Sequence, residues 1–250
     1  MTYSAALFKE PNNDFAAAQL AKYQRLADAV GVQEGSRVLE IGCGWGGFVE
    51  TAIQDYGSTV VGLTLSAEQR KFAIDRLHAA GCSAQADIRL QDYRDVSGLF
   101  DAVVSIEMFE ALGEENWSIY FDKLRSVLRP GGKAGIQVIT INEDRYEAYR
   151  DRPDFIQKYI FPGGRLPSPE RFEKAATAAS FAIGDRFFFG ESYAETLRRW
   201  HKQFETQWPV IMKLGFDERF HRMWRYYLAY CEAGFRGGAI NVAQYTLIRS

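Results

Sequence analysis

The eleven residues at 37–47, Arg-Val-Leu-Glu-Ile-Gly-Cys-Gly-Trp-Gly-Gly, constrain the fold of this chain more than any other stretch. Val38, Leu39 and Ile41 are a short apolar run of the kind that fills a strand buried on both faces, and the run stops at a cluster of glycines. Gly42, Gly44 and Gly47 satisfy the G-x-G-x-x-G spacing, in which missing side chains let a turn approach a ligand closely and aim a helix N-terminus at it. Glu40 sharpens this weak pattern. A dinucleotide site wants apolar packing two residues before the first glycine, whereas a carboxylate there suits a cationic ligand.

The flanking sequence repeats the alternation of strand and helix. Asp14 is placed to cap a helix in which Ala17, Leu20, Ala21 and Leu26 recur at roughly helical spacing, and Gly31 and Gly35 bracket the turn into the first strand. The pattern then predicts a helix over 47–55, a buried strand over 59–65, a helix over 67–80 and a short strand near 87–90. A further strand follows at 100–106 and a helix at 117–128; Arg129-Pro-Gly-Gly closes that helix ahead of a strand at 133–141. This order implies right-handed crossovers and a mainly parallel sheet with ligands at the strand C-terminal ends, where the glycine loop, Thr64, Asp92 and Glu110 would meet. A nicotinamide enzyme should carry an acid about 20 positions past the glycines to bind the ribose hydroxyls. Here the second strand ends Val-Gly-Leu-Thr-Leu-Ser at 61–66 without one, which weakens that reading.

At 250 residues the chain suits one α/β domain with additions, and its net charge of −2 gives no bulk attraction for nucleic acid. Cys43, Cys82 and Cys231 are odd in number and far apart, against a disulfide framework or a zinc site, and the expected compartment is cytoplasmic. His78, His201 and His221 are scattered and make no metal site. No run approaches the ~20 apolar residues of a membrane span. After residue 150 the character changes: 20 of the 36 aromatic residues fall there, with helical patterns in place of strict alternation. We expect a cofactor-binding core over 1–141, a helical aromatic-rich lid over 142–240 and a returning strand over 241–250, all in one domain.

The residues at 37–47 join Leu-Thr-Leu-Ser-Ala-Glu-Gln at 63–69, Ser-Ile-Glu-Met-Phe-Glu-Ala-Leu-Gly at 105–113, Tyr-Ile-Phe-Pro-Gly-Gly-Arg-Leu-Pro-Ser at 159–168 and Gly-Phe-Asp-Glu-Arg-Phe at 215–220. Together they resemble the cyclopropane-fatty-acid synthase family of S-adenosylmethionine-dependent methyltransferases, over nearly the whole chain. The resemblance implies a Rossmann-like class I methyltransferase fold, a seven-stranded mostly parallel sheet flanked by helices, with a lid that holds a lipid acyl chain. It implies that S-adenosylmethionine lies against Tyr3, Ser4, Glu40, Gly42, Gly44, Thr64, Leu65 and Gln69, with Asp92, Tyr93 and Arg94 at the adenine.

The family's acceptor is an alkene, and methylation leaves a carbocation that any nearby water would capture. Such a site must be dry and lined by aromatic faces, for which Tyr159, Phe161, Phe187, Phe188, Phe189 and Tyr193 are candidates, with core packing the commoner role of any one of them. The resemblance further implies a bound bicarbonate ion as the base, surrounded by Glu110, Gln137, Ile139 and Tyr193. The chain departs from many bacterial members at Ala5, where they have cysteine, and at Gln137, where they have histidine. Less efficient deprotonation would favour a methyl- or methylene-branched product over a ring.

Family members also carry a segment ahead of the Met1–Ser4 equivalent that closes over the cofactor, so looser cofactor binding or dependence on a partner is a further expectation. Arg198, Arg199, Lys202 and Lys213 are candidates for phospholipid headgroups at the inner face of a membrane, with a solvated helix face the default. The expected activity is methylene addition across the double bond of an unsaturated phospholipid acyl chain. Branching methylation without ring closure, methylation of another small hydrophobic substrate, or a lipid- or cofactor-binding protein with little turnover stay open, as does a homodimer.

Overall fold

The computed structural model describes residues 1–10 and 14–250; positions 11–13, the end of the polar leader, lie outside the described residues. The first helix, α1 (Phe15–Val30), starts where the Asp14 side chain accepts from the amides of Ala16 and Ala17, and it ends at Gly31 in the left-handed conformation. Strand β1 (Arg37–Ile41), helix α2 (Gly47–Gln54), β2 (Thr59–Thr64), α3 (Ala67–Ala79), β3 (Ala86–Leu90), β4 (Phe100–Ile106), α4 (Trp117–Val127) and β5 (Leu128–Ile141) follow. After them come α5 (Glu143–Asp151), α6 (Phe155–Tyr159), α7 (Pro169–Ala178), β6 (Phe181–Phe188), α8 (Gly190–Met212), α9 (Glu218–Arg236) and β7 (Ile240–Arg249). The strands form one sheet in the order β3-β2-β1-β4-β5-β7-β6, parallel except where β7 pairs antiparallel with β5 and β6.

Both faces of the sheet are covered, and the two-residue period of the strands divides their side chains between them. Leu39, Ile41, Val103, Ile136, Val138 and Tyr245 pack beneath α4 and α7. Val38, Val60, Ala102 and Val104 pack on the other side with Leu26 and Ala27 of α1 and Val49 of α2. Glu40, two residues on from Val38, therefore points to the α1 side. Gly135 of β5 marks how tightly that helix sits: a Cβ there would come within 2.7 Å of Val30 and 2.9 Å of Leu26.

The segment after residue 141 is not helical throughout. Its α7 and β6 return to the sheet, and β6 forms the edge strand beside β7. Phe187 and Phe189 face the lid, while Phe188 turns to the opposite face and meets the Tyr245 ring edge-on at 6.0 Å. The lid proper is the long pair α8 and α9, packed through Tyr193, Leu197, Phe204, Trp208, Tyr227 and Phe235. Residues 129–132, expected as a turn, instead form a bulge inside β5: the pairing passes from Phe100 with Leu128 to Ala102 with Lys133. No helix of the described residues is long and apolar enough to cross a membrane.

Candidate active site

The cofactor side of the site is built at the ends of β1 and β2. Gly42, Gly44 and Gly46 have φ of 80°, 51° and 79°, a left-handed run that L side chains resist, and the amides of Gly42 and Cys43 both donate to the Leu63 carbonyl. Nothing lies within 4 Å of the position a Gly44 Cβ would take, so the loop is open to a ligand there. Glu40 is 3% exposed and its Oε2 has no hydrogen-bond partner. Burial pushes this carboxyl up to about 8 against the opposing pull of Lys22 and Arg76. A buried, half-unsatisfied carboxylate beside a glycine cradle fits the ammonium of a methionyl group, so the residues present suit S-adenosylmethionine.

Thr64 Oγ1 donates to Gln69 Oε1 at 2.7 Å, which holds the glutamine against the end of β2, and Leu65 beside it is 74% exposed. Asp92 caps a short 3₁₀ turn, Tyr93–Asp95, and is gripped by Arg94 through two bonds of 3.0 and 2.7 Å. The Arg94 guanidinium holds the Asp92 carboxyl below the usual range. The edge of Tyr93 is fixed on Tyr120 at 5.5 Å.

The N-terminal residues run as an extended strap between α1 and the lid. Tyr3 stacks on Trp200 at 5.2 Å and shares a 2.8 Å hydrogen bond with Tyr227, and burial pushes its hydroxyl up to about 12. Ser4 is buried, its Oγ accepting from Lys22 and its carbonyl from Gln19. The Ala6 amide donates to Thr196 and the Phe8 amide to Ser192, so both strap and α8 are tied together.

The four residues expected around an anion come together, but a carboxylate of the chain stands among them. Glu107, the first residue after β4, has φ 51°, a conformation rare for a residue with a Cβ. Its Oε1 accepts from the Ala5 amide at 2.8 Å and from Gln137 Nε2 at 2.7 Å; its Oε2 accepts from the Tyr193 hydroxyl at 2.7 Å. Gln137 Oε1 in turn accepts from Gln244 Nε2, which fixes its amide orientation. Glu110 lies one turn on. Its Oε1 accepts from the Ile139 amide at 2.5 Å and its Oε2 is buried with no partner. Burial and the charge of Glu107 push the Glu110 carboxyl up to about 8. Burial also raises Glu107, opposed by Lys22 and by its three donors.

Two of the donors expected for bicarbonate, Gln137 and Tyr193, are thus already used by Glu107 and a third, the Ile139 amide, by Glu110; Ala5 contributes its amide where it has no side-chain group to offer. The anion does not fit beside the chain's own carboxylate. The signal for Glu107 was present in Glu107-Met-Phe-Glu110, two acids three apart at the end of a buried strand.

The expected aromatic lining divides. Tyr193 is buried, packed on Phe235 at 4.4 Å with the rings tilted by 30° and roughly perpendicular to Trp200 at 6.3 Å. Phe189 is buried too, but the face of Phe187 is covered by the Arg25 guanidinium at 3.8 Å, and Phe188 lies across the sheet. Tyr159 and Phe161 are 61% and 46% exposed. Of the candidate headgroup cations, Arg198 forks onto Glu195, and Arg199 bonds the same carboxylate while its guanidinium covers the Phe8 ring of the strap at 4.3 Å. His221 stacks on Trp208 at 4.2 Å, a packing role.

Comparison with known proteins agrees with this architecture. The profile of the mycolic acid cyclopropane synthetase family matches residues 1–245. Tuberculostearic acid methyltransferase UfaA1 of Mycobacterium tuberculosis is 46% identical over the whole chain, which covers 60% of that protein. Cyclopropane-fatty-acyl-phospholipid synthase of Escherichia coli K12 is 37% identical, again over the whole chain and 62% of its own length. The chain thus spans about 60% of the length of these curated relatives. Mycolic acid cyclopropane synthase CmaA1, solved with SAH and CTAB, superposes with a TM-score of 0.92 at 28% identity, covering 99% of this chain and 90% of that one.

Proposed function

Because the chain belongs to the mycolic acid cyclopropane synthetase family and has its S-adenosylmethionine-dependent methyltransferase fold, we propose that it methylates the double bond of an unsaturated lipid acyl chain, with Glu107 as the base. The observation that carries this reading is the Glu107 carboxylate, held by Ala5, Gln137 and Tyr193 where an anion would otherwise be needed.

S-adenosylmethionine, when bound, supplies a methyl group on a sulfonium. Glu40 and the glycine turn would hold its methionyl end, and Thr64, Leu65, Gln69, Asp92, Tyr93 and Arg94 would receive the nucleoside. The alkene π pair forms the new C–CH3 bond as the S–CH3 bond breaks, and the positive charge passes to the acyl chain. Tyr193 and the lid aromatics keep water from that cation.

A 1,2-hydride shift moves the charge to the carbon that bears the methyl group; Glu107 then takes a proton from the methyl, whose C–H pair becomes a C=CH2 bond. Charge balances, since the positive charge that arrived with the methyl leaves as the proton on Glu107. A methylene-branched chain is therefore the product we propose, in keeping with the 46% identical methyltransferase of tuberculostearic acid. Proton loss without the hydride shift would close a cyclopropane, the reading favoured by the Escherichia coli relative.

The test is incubation with S-adenosylmethionine and monounsaturated phospholipid vesicles, then mass spectrometry of the fatty acids before and after mild hydrogenation. A product one CH2 heavier that takes up hydrogen supports the branched alkene. The same gain in a product that resists hydrogen would turn the reading to the ring.

A further inference from the structure

Lys22 is wholly buried in α1, an unusual place for an ammonium, since removing that charge from water costs several kcal/mol unless something nearby compensates. Its Nζ donates to Ser4 Oγ at 2.7 Å and to Gln19 Oε1 at 2.6 Å and lies 4.3 Å from the centre of the Tyr23 ring. Neither hydrogen-bond partner is a carboxylate. The helix lies over the face of the sheet that bears Glu40; burial pushes the Lys22 ammonium down to about 7 while Glu107 and Glu40 pull it back up, and the lysine charge in turn lowers both carboxyls.

The surrounding bonds join the lysine to the base by two routes. Ser4, which it holds, precedes Ala5, whose amide donates to Glu107. The Lys22 carbonyl accepts from Gln244 Nε2, which also donates to Gln137, and Gln137 donates to Glu107.

We propose that Lys22 is a positioning residue for the reaction: its buried ammonium keeps Glu107 ionised while its bonds to the strap and to Gln244 fix the two donors that aim the carboxylate. The inference rests on Glu107 being the base. A cation here solves a problem the site creates for itself, because Glu107 and Glu110 stand close together in a water-poor pocket and one of them must be charged to accept a proton. The titratable groups facing Glu107 are Lys22 and Tyr23 on α1, Glu110 on its own segment, Tyr193 on α8, Tyr227 on α9 and Tyr3 on the strap. Among the described residues Lys22 is the cation in that set.

The experiment compares the native protein with Lys22→Met in two readouts. The first is the pH dependence of kcat on an unsaturated phospholipid. The acid limb should move up by about one pH unit, so that kcat at a given pH on that limb falls by about tenfold while the plateau at higher pH and the acceptor KM stay within about twofold. The second is an infrared titration of the protein without substrate, with the Glu107 band identified by its loss in Glu107→Gln. Its midpoint should move up by a similar amount. Melting curves check that the variant folds; if it does not, Lys22→Gln, which keeps a polar head between Ser4 and Gln19, carries the same expectation.

An unmoved Glu107 titration in a folded neutral variant would overturn the proposal, and so would a loss of turnover with an unmoved acid limb. If the native protein methylates no acyl chain, the functional reading fails, while the infrared titration still decides whether Lys22 governs the charge of Glu107.

Discussion

At the scale of single residues the site is a set of carboxylates held out of water, and each has a stability cost with a definite sign. The Glu40 carboxyl titrates near 8 in the fold against an ordinary 4.5. Between those pH values the folded state keeps a proton that the unfolded chain has released, so stability is greatest below about 4.5 and falls as pH rises through the window. Glu40→Gln removes this burden. Its melting temperature at pH 8 without cofactor should exceed the native value by a few degrees, roughly 1–2 kcal/mol. Calorimetry should show affinity for S-adenosylmethionine at least about tenfold weaker; equal affinity would detach Glu40 from the cofactor.

Glu107→Gln should behave in the opposite way, with cofactor affinity retained within about twofold and kcat at least about 100-fold lower, because the loss falls on proton transfer. Parallel losses in both would point to a structural part for the residue. Part of the candidate site was legible from residue type, in Glu40 as an acid where a strand wants apolar packing and in the glycine turn, whereas Gln69 beside Thr64 entered through the resemblance. Glu107 was not legible, because the resemblance supplied an external anion for its task. Only the meeting of the strap, β5 and α8 shows that a side chain already stands there.

At the scale of elements, the pieces with strong local signals form as expected. Asp14 caps α1, and β4 spans the expected Phe100–Ile106. Asp14→Ala should cost about 1 kcal/mol, a fall in melting temperature of about 2–4 °C, with kcat unchanged. A loss of activity without loss of stability would mean that α1 does more than carry Lys22. The glycine turn makes a sharper demand. At Gly42, with φ +80°, a Cβ would come within 3.0 Å of Met108 Cγ, so Gly42→Ala adds backbone strain of about 1–2 kcal/mol beside the cofactor. The expected result is weaker S-adenosylmethionine binding in the same calorimetric titration, and binding at native strength would show that the turn relaxes freely.

Strand β6 escaped a reading by pattern. Phe-Ala-Ile-Gly-Asp-Arg-Phe-Phe alternates poorly, because Gly184 and the irregular pairing between Ile183 and Arg186 break the two-residue period. Its partner is β7, sixty residues further on, so the pairing that makes it a strand is not local. The bulge at 129–132 escaped for a related reason, since Pro-Gly-Gly signals a turn equally well within an interrupted strand.

At the scale of the whole molecule, the parallel sheet was legible from strand and helix alternation as far as β5. The returning strand near the C-terminus was legible from its residues too, but its antiparallel place between β5 and β6 was not, because that pairing joins segments far apart in the chain. The arrangement matters for chemistry because one face of the sheet, covered by α1, collects Glu40, Gln137 and Gln244, while the lid closes over the same edge through Tyr193 and Tyr227. Cofactor cradle, base and aromatic wall are then three sides of one space. Their common border is the strap, tied to α1 through Ser4 and to α8 and α9 through Ala6, Phe8 and Tyr3.

The central claim, that the chain carries its own base in the place of a bound anion, is tested most directly by Glu107→Gly, which removes the side chain and suits the backbone φ of 51°. Turnover on monounsaturated phospholipid would be measured in bicarbonate-depleted buffer and again with bicarbonate added. The account predicts native turnover that ignores the ion, and a variant that is inactive without it and partly restored when bicarbonate enters the vacated space. Native turnover that depends on bicarbonate, or a Glu107→Gly variant as active as the native protein without it, would contradict the account.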